Sequence, residues 1–178
     1  NGQNRHIRIS LAYVIMIILI WIPMARRKSL VFLDVGQGDC FVADTKSGAI
    51  IFDGGSSSED QVGRYRILPY MKYLGYQKIQ IAVISHMDID HYSGIKELLE
   101  MGKIKYLGLP EIPKDATMKK IIGIAKKRGT TIFYLSRGRQ ITTKDGSLKV
   151  LHPQKNSQME KNAASLVMQG KILGYRVL

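Results

Sequence analysis

Two imidazoles and two carboxylates fall within six positions of this chain: His86, Asp88, Asp90 and His91, in the order H-x-D-x-D-H. Neutral imidazole and ionised carboxylate are the side chains that hold zinc, manganese and similar divalent ions. In extended chain, residues two apart face the same way, so His86 and Asp88 are expected to converge. Asp90 and His91 are expected on a turn into a helix, where the chain curls back toward the same point. Two neighbouring centres, one on His86 and Asp88 and one on Asp90 and His91, fit that layout better than a single ion. Paired ions about 3.5–4 Å apart are a recurring device for splitting phosphate and acyl bonds. The plainer reading is a solvated loop before a helix, where aspartate serves as a cap. That reading leaves two histidines in register with two aspartates unexplained.

The flanking segments supply the frame. Ile79 to Ile84 is apolar and rich in β-branched residues, the mark of a buried strand. Ile95 to Met101 has helical spacing and strong helix formers. The cluster therefore belongs where a strand ends and a helix begins, the usual place for a site in an α/β protein. Further strands are predicted at Leu30 to Val35, Cys40 to Ala43, Ala49 to Phe52, Lys105 to Leu109, Thr131 to Leu135, Gln140 to Thr143 and Ser147 to Leu151. Ser165 to Met168 and Tyr175 to Leu178 also read as strands. Helices are predicted at Ile67 to Leu74, which Gly75 stops, and at Met118 to Lys127. Many short strands with interspersed helices indicate an α/β fold of two sheets flanked by helices, an αββα layered arrangement.

At 178 residues the chain can hold one domain with a real core, and its single cysteine, Cys40, excludes an internal disulfide framework. Cys40 reads as a small buried side chain. The net charge is +13. A field of that size attracts nucleic acid or an anionic membrane surface, or serves solubility alone.

Ile9 to Ile22 is almost wholly apolar, with Arg5 and Arg8 before it and Arg26-Arg27-Lys28 after it. The apolar run is shorter than the roughly 20 residues of a full span. A membrane helix is favoured over a cleaved signal peptide, because Pro23-Met24-Ala25 before three cations is a poor cleavage site, and Trp21 suits an interfacial anchor. A buried helix or hairpin strand is the alternative. The expected organisation is a transmembrane helix with basic flanks over 1–28 and a globular domain over 29–178. The chain reads as a piece of a longer protein.

Three blocks now line up. Phe32-Leu33-Asp34-Val35-Gly36-Gln37-Gly38-Asp39 precedes Asp53-Gly54-Gly55, which precedes Ser85-His86-Met87-Asp88-Ile89-Asp90-His91. Val150-Leu151-His152-Pro153 and Asn162-Ala163-Ala164-Ser165-Leu166-Val167 follow. Together they resemble the metallo-β-lactamase-fold domain of the ComEC-type DNA-internalisation competence proteins, over about Leu30 to Leu178. The resemblance implies a metallo-β-lactamase-like αββα sandwich, C-terminally incomplete, in a bacterial membrane channel protein that carries DNA into the cell. The domain would lie on the extracellular side and act as a metal-dependent nuclease, with DNA, the membrane and the remainder of the channel protein as partners and no nucleotide cofactor. Two divalent ions, zinc or manganese, are implied: His86 and Asp88 would bind one, Asp90 and His91 the other.

Asp90 and Asp53 are the acids offered for catalysis, with Asp53 also read as a supporting or structural acid, or simply as a turn residue before two glycines. Asp34, Gln37 and Asp39 form the signature loop; turn chemistry around Gly36 and Gly38 is the alternative for both aspartates. His152 is placed as a loop or supporting residue rather than a ligand. Asn162 is a candidate for holding a ligand or phosphate, against a cap or turn role. The family's bridging aspartate from a Thr-Gly-Asp-type block, and a later histidine, have no counterpart in these residues. Two other functions are weighed: a non-catalytic module that guides DNA to a channel, and a hydrolase of small esters.

Overall fold

A computed structural model of the protein describes residues 2–21, 28–157 and 162–178. Helix α1 (Gly2–Trp21) comes first, followed by strands β1 (Leu30–Phe32), β2 (Phe41–Thr45) and β3 (Gly48–Phe52). A π turn, Gly63–Ile67, runs into α2 (Leu68–Tyr73), then β4 (Ile79–Val83), α3 (Ile89–Glu100), β5 (Ile104–Pro110), α4 (Ala116–Lys127) and β6 (Thr131–Leu135). Strands β7 (Gln140–Thr143), β8 (Gly146–His152), β9 (Val167–Ile172) and β10 (Tyr175–Val177) complete the order.

Six strands form one sheet in the order β1-β2-β3-β4-β5-β6, and four form a second in the order β10-β9-β8-β7. In the first sheet β1, β2 and β3 are antiparallel, and β3, β4, β5 and β6 are parallel. Parallel neighbours need crossovers, and α3 and α4 supply two of them. All strands of the second sheet are antiparallel.

The period of two along each strand sorts side chains onto the two faces of the first sheet. Val42, Ile51, Ala82 and Leu107 pack with Met71, Ile95, Leu98 and Met118 of the helices. Their neighbours Ala43, Ile50 and Val83 turn the other way, toward Val150, Leu166 and Ile172 of the second sheet. A sheet covered on both faces reads as a near-continuous apolar run, which is what Ile79 to Ile84 shows. The expected layering of helices, sheet and sheet is present; among the described residues no helix packs on the outer face of the second sheet.

Two expectations are corrected. The helix after the cluster starts at Ile89, not Ile95, with Asp88 as its extended N-cap residue. Asp90 and His91 therefore sit in the first helical turn rather than on a loop before it. The apolar N-terminal segment is helical, yet among the described residues no helix is long and apolar enough to cross a membrane. Arg5, His6 and Arg8 occupy its first turns, and Ile9 to Trp21 covers only roughly 20 Å at helical rise, against a hydrocarbon core of about 30 Å.

Candidate metal centre

The cluster forms because three loops at the C-terminal ends of the strands come within backbone contact. The Asp39 amide donates to the Asp90 carbonyl, and the Gly54 amide to the His91 carbonyl. Glycine makes this approach possible. A Cβ at Gly38 would lie 2.2 Å from the Gly55 carbonyl oxygen, and one at Gly55 would lie 2.5 Å from that of Ile89. No side chain fits at such distances.

Asp53 follows β3 in the left-handed region, at φ 55°. Its Oδ1 accepts from the Ser85 amide at 2.7 Å. Its Oδ2 accepts from the Ser85 hydroxyl at 2.7 Å and lies 2.9 Å from His91 Nδ1. Ser85 Oγ is in turn 2.9 Å from His86 Nδ1. With Ser85 donating to Asp53, both histidines donate through Nδ1, His86 to the serine and His91 to the aspartate. The lone pair of each imidazole then stands on Nε2. Holding one ring nitrogen by hydrogen bond is how a protein sets the other as a metal ligand.

Each Nε2 faces a carboxylate. His86 Nε2 is 3.4 Å from Asp88 Oδ2, and His91 Nε2 is 3.6 Å from Asp90 Oδ2. Two donors on one tetrahedral ion stand about 3.4 Å apart at ordinary zinc–nitrogen and zinc–oxygen distances. The two rings are 4.0 Å apart, centroid to centroid. The imidazoles are sunk, at 12% and 15% exposure, while Asp88 and Asp90 are open at 37% and 39%. The donors thus point outward from a buried support, and both pairs fit a divalent ion. Among the described residues no group of three or more His, Cys, Asp or Glu side chains converges as a metal cage; the ligands come two by two.

The hydrogen bond to Asp53 raises the His91 pKa against the opposing effect of burial, and the charges of Asp53, Asp90 and Asp39 add to the rise. An ion must displace that affinity for a proton. Burial, with smaller contributions from the Asp53 and Asp39 charges, pushes the Cys40 thiol up to about 12. Cys40 is an inert wall residue, as the sequence suggested.

The remaining sequence candidates divide. Asp39 is exposed, with Oδ2 3.8 Å from His91 Nδ1, at the rim of the cluster. Asp34 accepts from the Gly36 amide at 3.1 Å, which is turn chemistry. Gln37 acts through its backbone, its amide donating to Ser58 Oγ and its carbonyl accepting from the Ser57 amide. His152 ends β8 and donates from Nε2 to the Ala163 carbonyl at 2.7 Å, so it ties a loop. Asn162 opens a short 3-10 turn, Asn162–Ala164, but its side chain lies outside the described residues. Ser85 went unremarked in the sequence; its one signal is its place between a strand of β-branched residues and His86.

A cleft of about 1020 Å³ between the two sheets reaches the residues beside the cluster, though none of His86, Asp88, Asp90 and His91 lines it. Asp39, Asp53 and Ser85 line one end, and Phe41, Phe52 and Leu166 are among its apolar walls.

Residues 33–158 match the metallo-β-lactamase superfamily. The chain belongs to that superfamily. Its members are generally metal-dependent hydrolases, and divalent ions are typical of them. The chain is also 28% identical over 173 residues to ComE operon protein 3 of Bacillus subtilis (strain 168), covering 87% of this chain and 22% of that one. This supports the resemblance to a ComEC-type metallo-β-lactamase domain. Among solved structures, a metallo-β-lactamase with a HARLDQ motif from Cronobacter sakazakii superposes with a TM-score of 0.54 at 16% identity, over 80% of this chain and 56% of that one. A β-lactamase from Chitinophaga pinensis gives 0.51 at 18% identity, over 82% and 55%. These two likenesses concern the fold. This chain therefore spans about a fifth of its curated relative and somewhat over half of those two solved structures.

Proposed function

We propose that this domain is a metal-dependent phosphodiesterase acting on DNA, in a membrane-bound system for DNA uptake. The observation that carries the hydrolytic reading is the Asp53–Ser85 support, which turns both Nε2 atoms toward carboxylates. His86 with Asp88, and His91 with Asp90, would each hold a zinc or manganese ion. Bound there, the ions would make hydroxide available from water at neutral pH and neutralise charge on phosphate oxygens. Asp90, half open to solvent, would take a proton from the attacking water. Asp53 has both oxygens engaged by Ser85 and His91, so it positions rather than exchanges protons.

DNA as substrate rests on the likeness to ComE operon protein 3 and on the basic charge. Exposed Lys114, Arg137 and Arg139 lie in loops near the C-terminal ends of β5 and β6, the cluster's side of the sheet. Such cations bind a phosphate backbone without reading bases. The test is cleavage of linear duplex and single-stranded DNA with added zinc or manganese, compared with Asp90→Asn. Metal-dependent cleavage that Asp90→Asn abolishes is expected. Salt-sensitive DNA binding with no cleavage would favour a guiding module. Turnover of small esters and none of DNA would favour the third reading.

A further inference from the structure

A row of cations lines one edge of the first sheet. Strands β3, β4, β5 and β6 run parallel, so their first residues share one edge of the sheet and their last residues the other. The metal-binding cluster occupies the second edge. The first edge lies about 17 Å away, the length of a five-residue strand. Lys78 and Lys103 directly precede β4 and β5, and Lys126, Lys127 and Arg128 end α4 on the approach to β6. Lys72 ends α2 on the approach to β4. All are exposed except half-buried Lys103. The acids of this edge are engaged: Glu100 pairs with Lys96 at 3.3 Å and Asp145 with Lys46 at 3.9 Å, while Asp44 is buried against Lys28. Cations in a last helical turn also complement the helix dipole, but Lys78 and Lys103 lie on no helix.

The chain from α1 enters the domain at this same edge. Lys28 Nζ lies 3.0 Å from Asp44 Oδ1 and 3.2 Å from the Tyr76 hydroxyl, and that hydroxyl donates to Asp44 at 2.6 Å. In α1, Ile9, Leu11, Val14, Ile15, Ile17 and Ile18 are all exposed. A run of exposed aliphatic side chains joined to a row of cations is matched by an anionic bilayer, which offers hydrocarbon and negative headgroups at one surface. A nucleic acid backbone would satisfy the cations and leave the aliphatic helix in water.

We infer that the edge bearing Lys72, Lys78, Lys103, Lys126, Lys127 and Arg128 docks on an anionic lipid surface. The cluster then faces away from the membrane, open to its substrate. This deepens the membrane location proposed above and is independent of the hydrolytic chemistry.

The test is co-sedimentation of the full chain with vesicles of phosphatidylcholine alone or with added phosphatidylglycerol. The wild-type protein is expected to bind the anionic vesicles at least about tenfold more tightly, each cation at such a surface contributing roughly fivefold. A variant with Lys78, Lys103, Lys126, Lys127 and Arg128 all changed to Gln should retain binding to neutral vesicles and lose that gain. Orientation is read with a fluorophore on Gln77→Cys or on Ser57→Cys, since the native Cys40 is buried. Quencher-bearing lipid should quench the label at 77 and spare the label at 57. A variant that keeps the anionic gain, or quenching at 57 in place of 77, overturns the inference. So does loss of DNA binding by the variant with the vesicle gain intact, which would make the edge a nucleic-acid surface. Vesicle binding indifferent to charge also overturns the inference, since the aliphatic side chains of α1 alone would then account for the binding.

Discussion

Asp53 Oδ2 stands 2.9 Å from His91 Nδ1 and receives the Ser85 hydroxyl at 2.7 Å. One carboxylate thus sets the orientation of His91 directly and of His86 through a serine. The Nε2 atoms that face Asp88 and Asp90 therefore depend on a residue whose own oxygens are turned to Ser85 and His91.

Asp53→Asn keeps a residue type that tolerates positive φ but halves the acceptor capacity. If the amide oxygen takes the place of Oδ2, the amide nitrogen faces the Ser85 amide, another donor; if it takes the place of Oδ1, the nitrogen faces the Ser85 hydroxyl and His91. Zinc or manganese affinity is expected to fall about 10–100-fold, the usual cost of losing such support. Titration calorimetry, with circular dichroism to verify folding, measures it.

Ser85→Ala breaks the path to His86 and removes one bond to Asp53, which the Ser85 amide and His91 still hold. A loss near the lower end of that range, about tenfold, is expected. Combined with His86→Ala, it should add little, because the serine acts through that imidazole. Additive losses in the double variant would show that Ser85 acts elsewhere.

Gly55→Ala places a methyl 2.5 Å from the Ile89 carbonyl oxygen. Backbone cannot yield as a side chain can. A destabilisation of about 2–3 kcal/mol is expected from overpacking, read as a lower urea midpoint. Metal affinity should fall with it, because Asp90 and His91 follow Ile89.

His152→Ala removes the hydrogen bond to the Ala163 carbonyl. A stability loss of about 1 kcal/mol is expected, with metal affinity unchanged. A large fall in affinity would return His152 to the ligand set.

The contact among Lys28, Asp44 and Tyr76 predicts a weakness in alkali. Burial pulls the Lys28 pKa down, but hydrogen bonds to Asp44 and Tyr76 outweigh it and raise the value above 10.5. Burial, then the bond to Asp44, raises Tyr76 above 10.0. A raised folded-state pKa gives stability that is full below the unfolded value and is lost as pH rises through the folded one. The melting temperature should therefore begin to fall above about pH 10, and less so in Lys28→Met. Equal alkaline slopes for the two proteins would contradict this.

Much was legible because it is local. The apolar run of Ile79 to Ile84 and the span Thr131 to Leu135 follow from side-chain period and turn signals within a few residues. The start of α3 was misjudged because Asp90 and His91 look like loop residues; chemistry occupies positions where helix formers would otherwise stand. The N-terminal helix was legible as a helix, but its cationic first turns shorten the apolar length.

The sequence alone singled out four side chains as candidate ligands, since their types and spacing suit that chemistry without reference to distant residues. Tertiary structure alone decided which imidazole nitrogen faces a carboxylate. That depends on Asp53 and Ser85, which lie 32 positions apart in the chain and meet only because parallel β3 and β4 end side by side. It also gathered Lys72, Lys78, Lys103, Lys126, Lys127 and Arg128 on one edge and set Lys114, Arg137 and Arg139 toward the other. A linear count of lysines carries no direction, whereas parallel strands gather their leading residues on one edge and their trailing residues on the other.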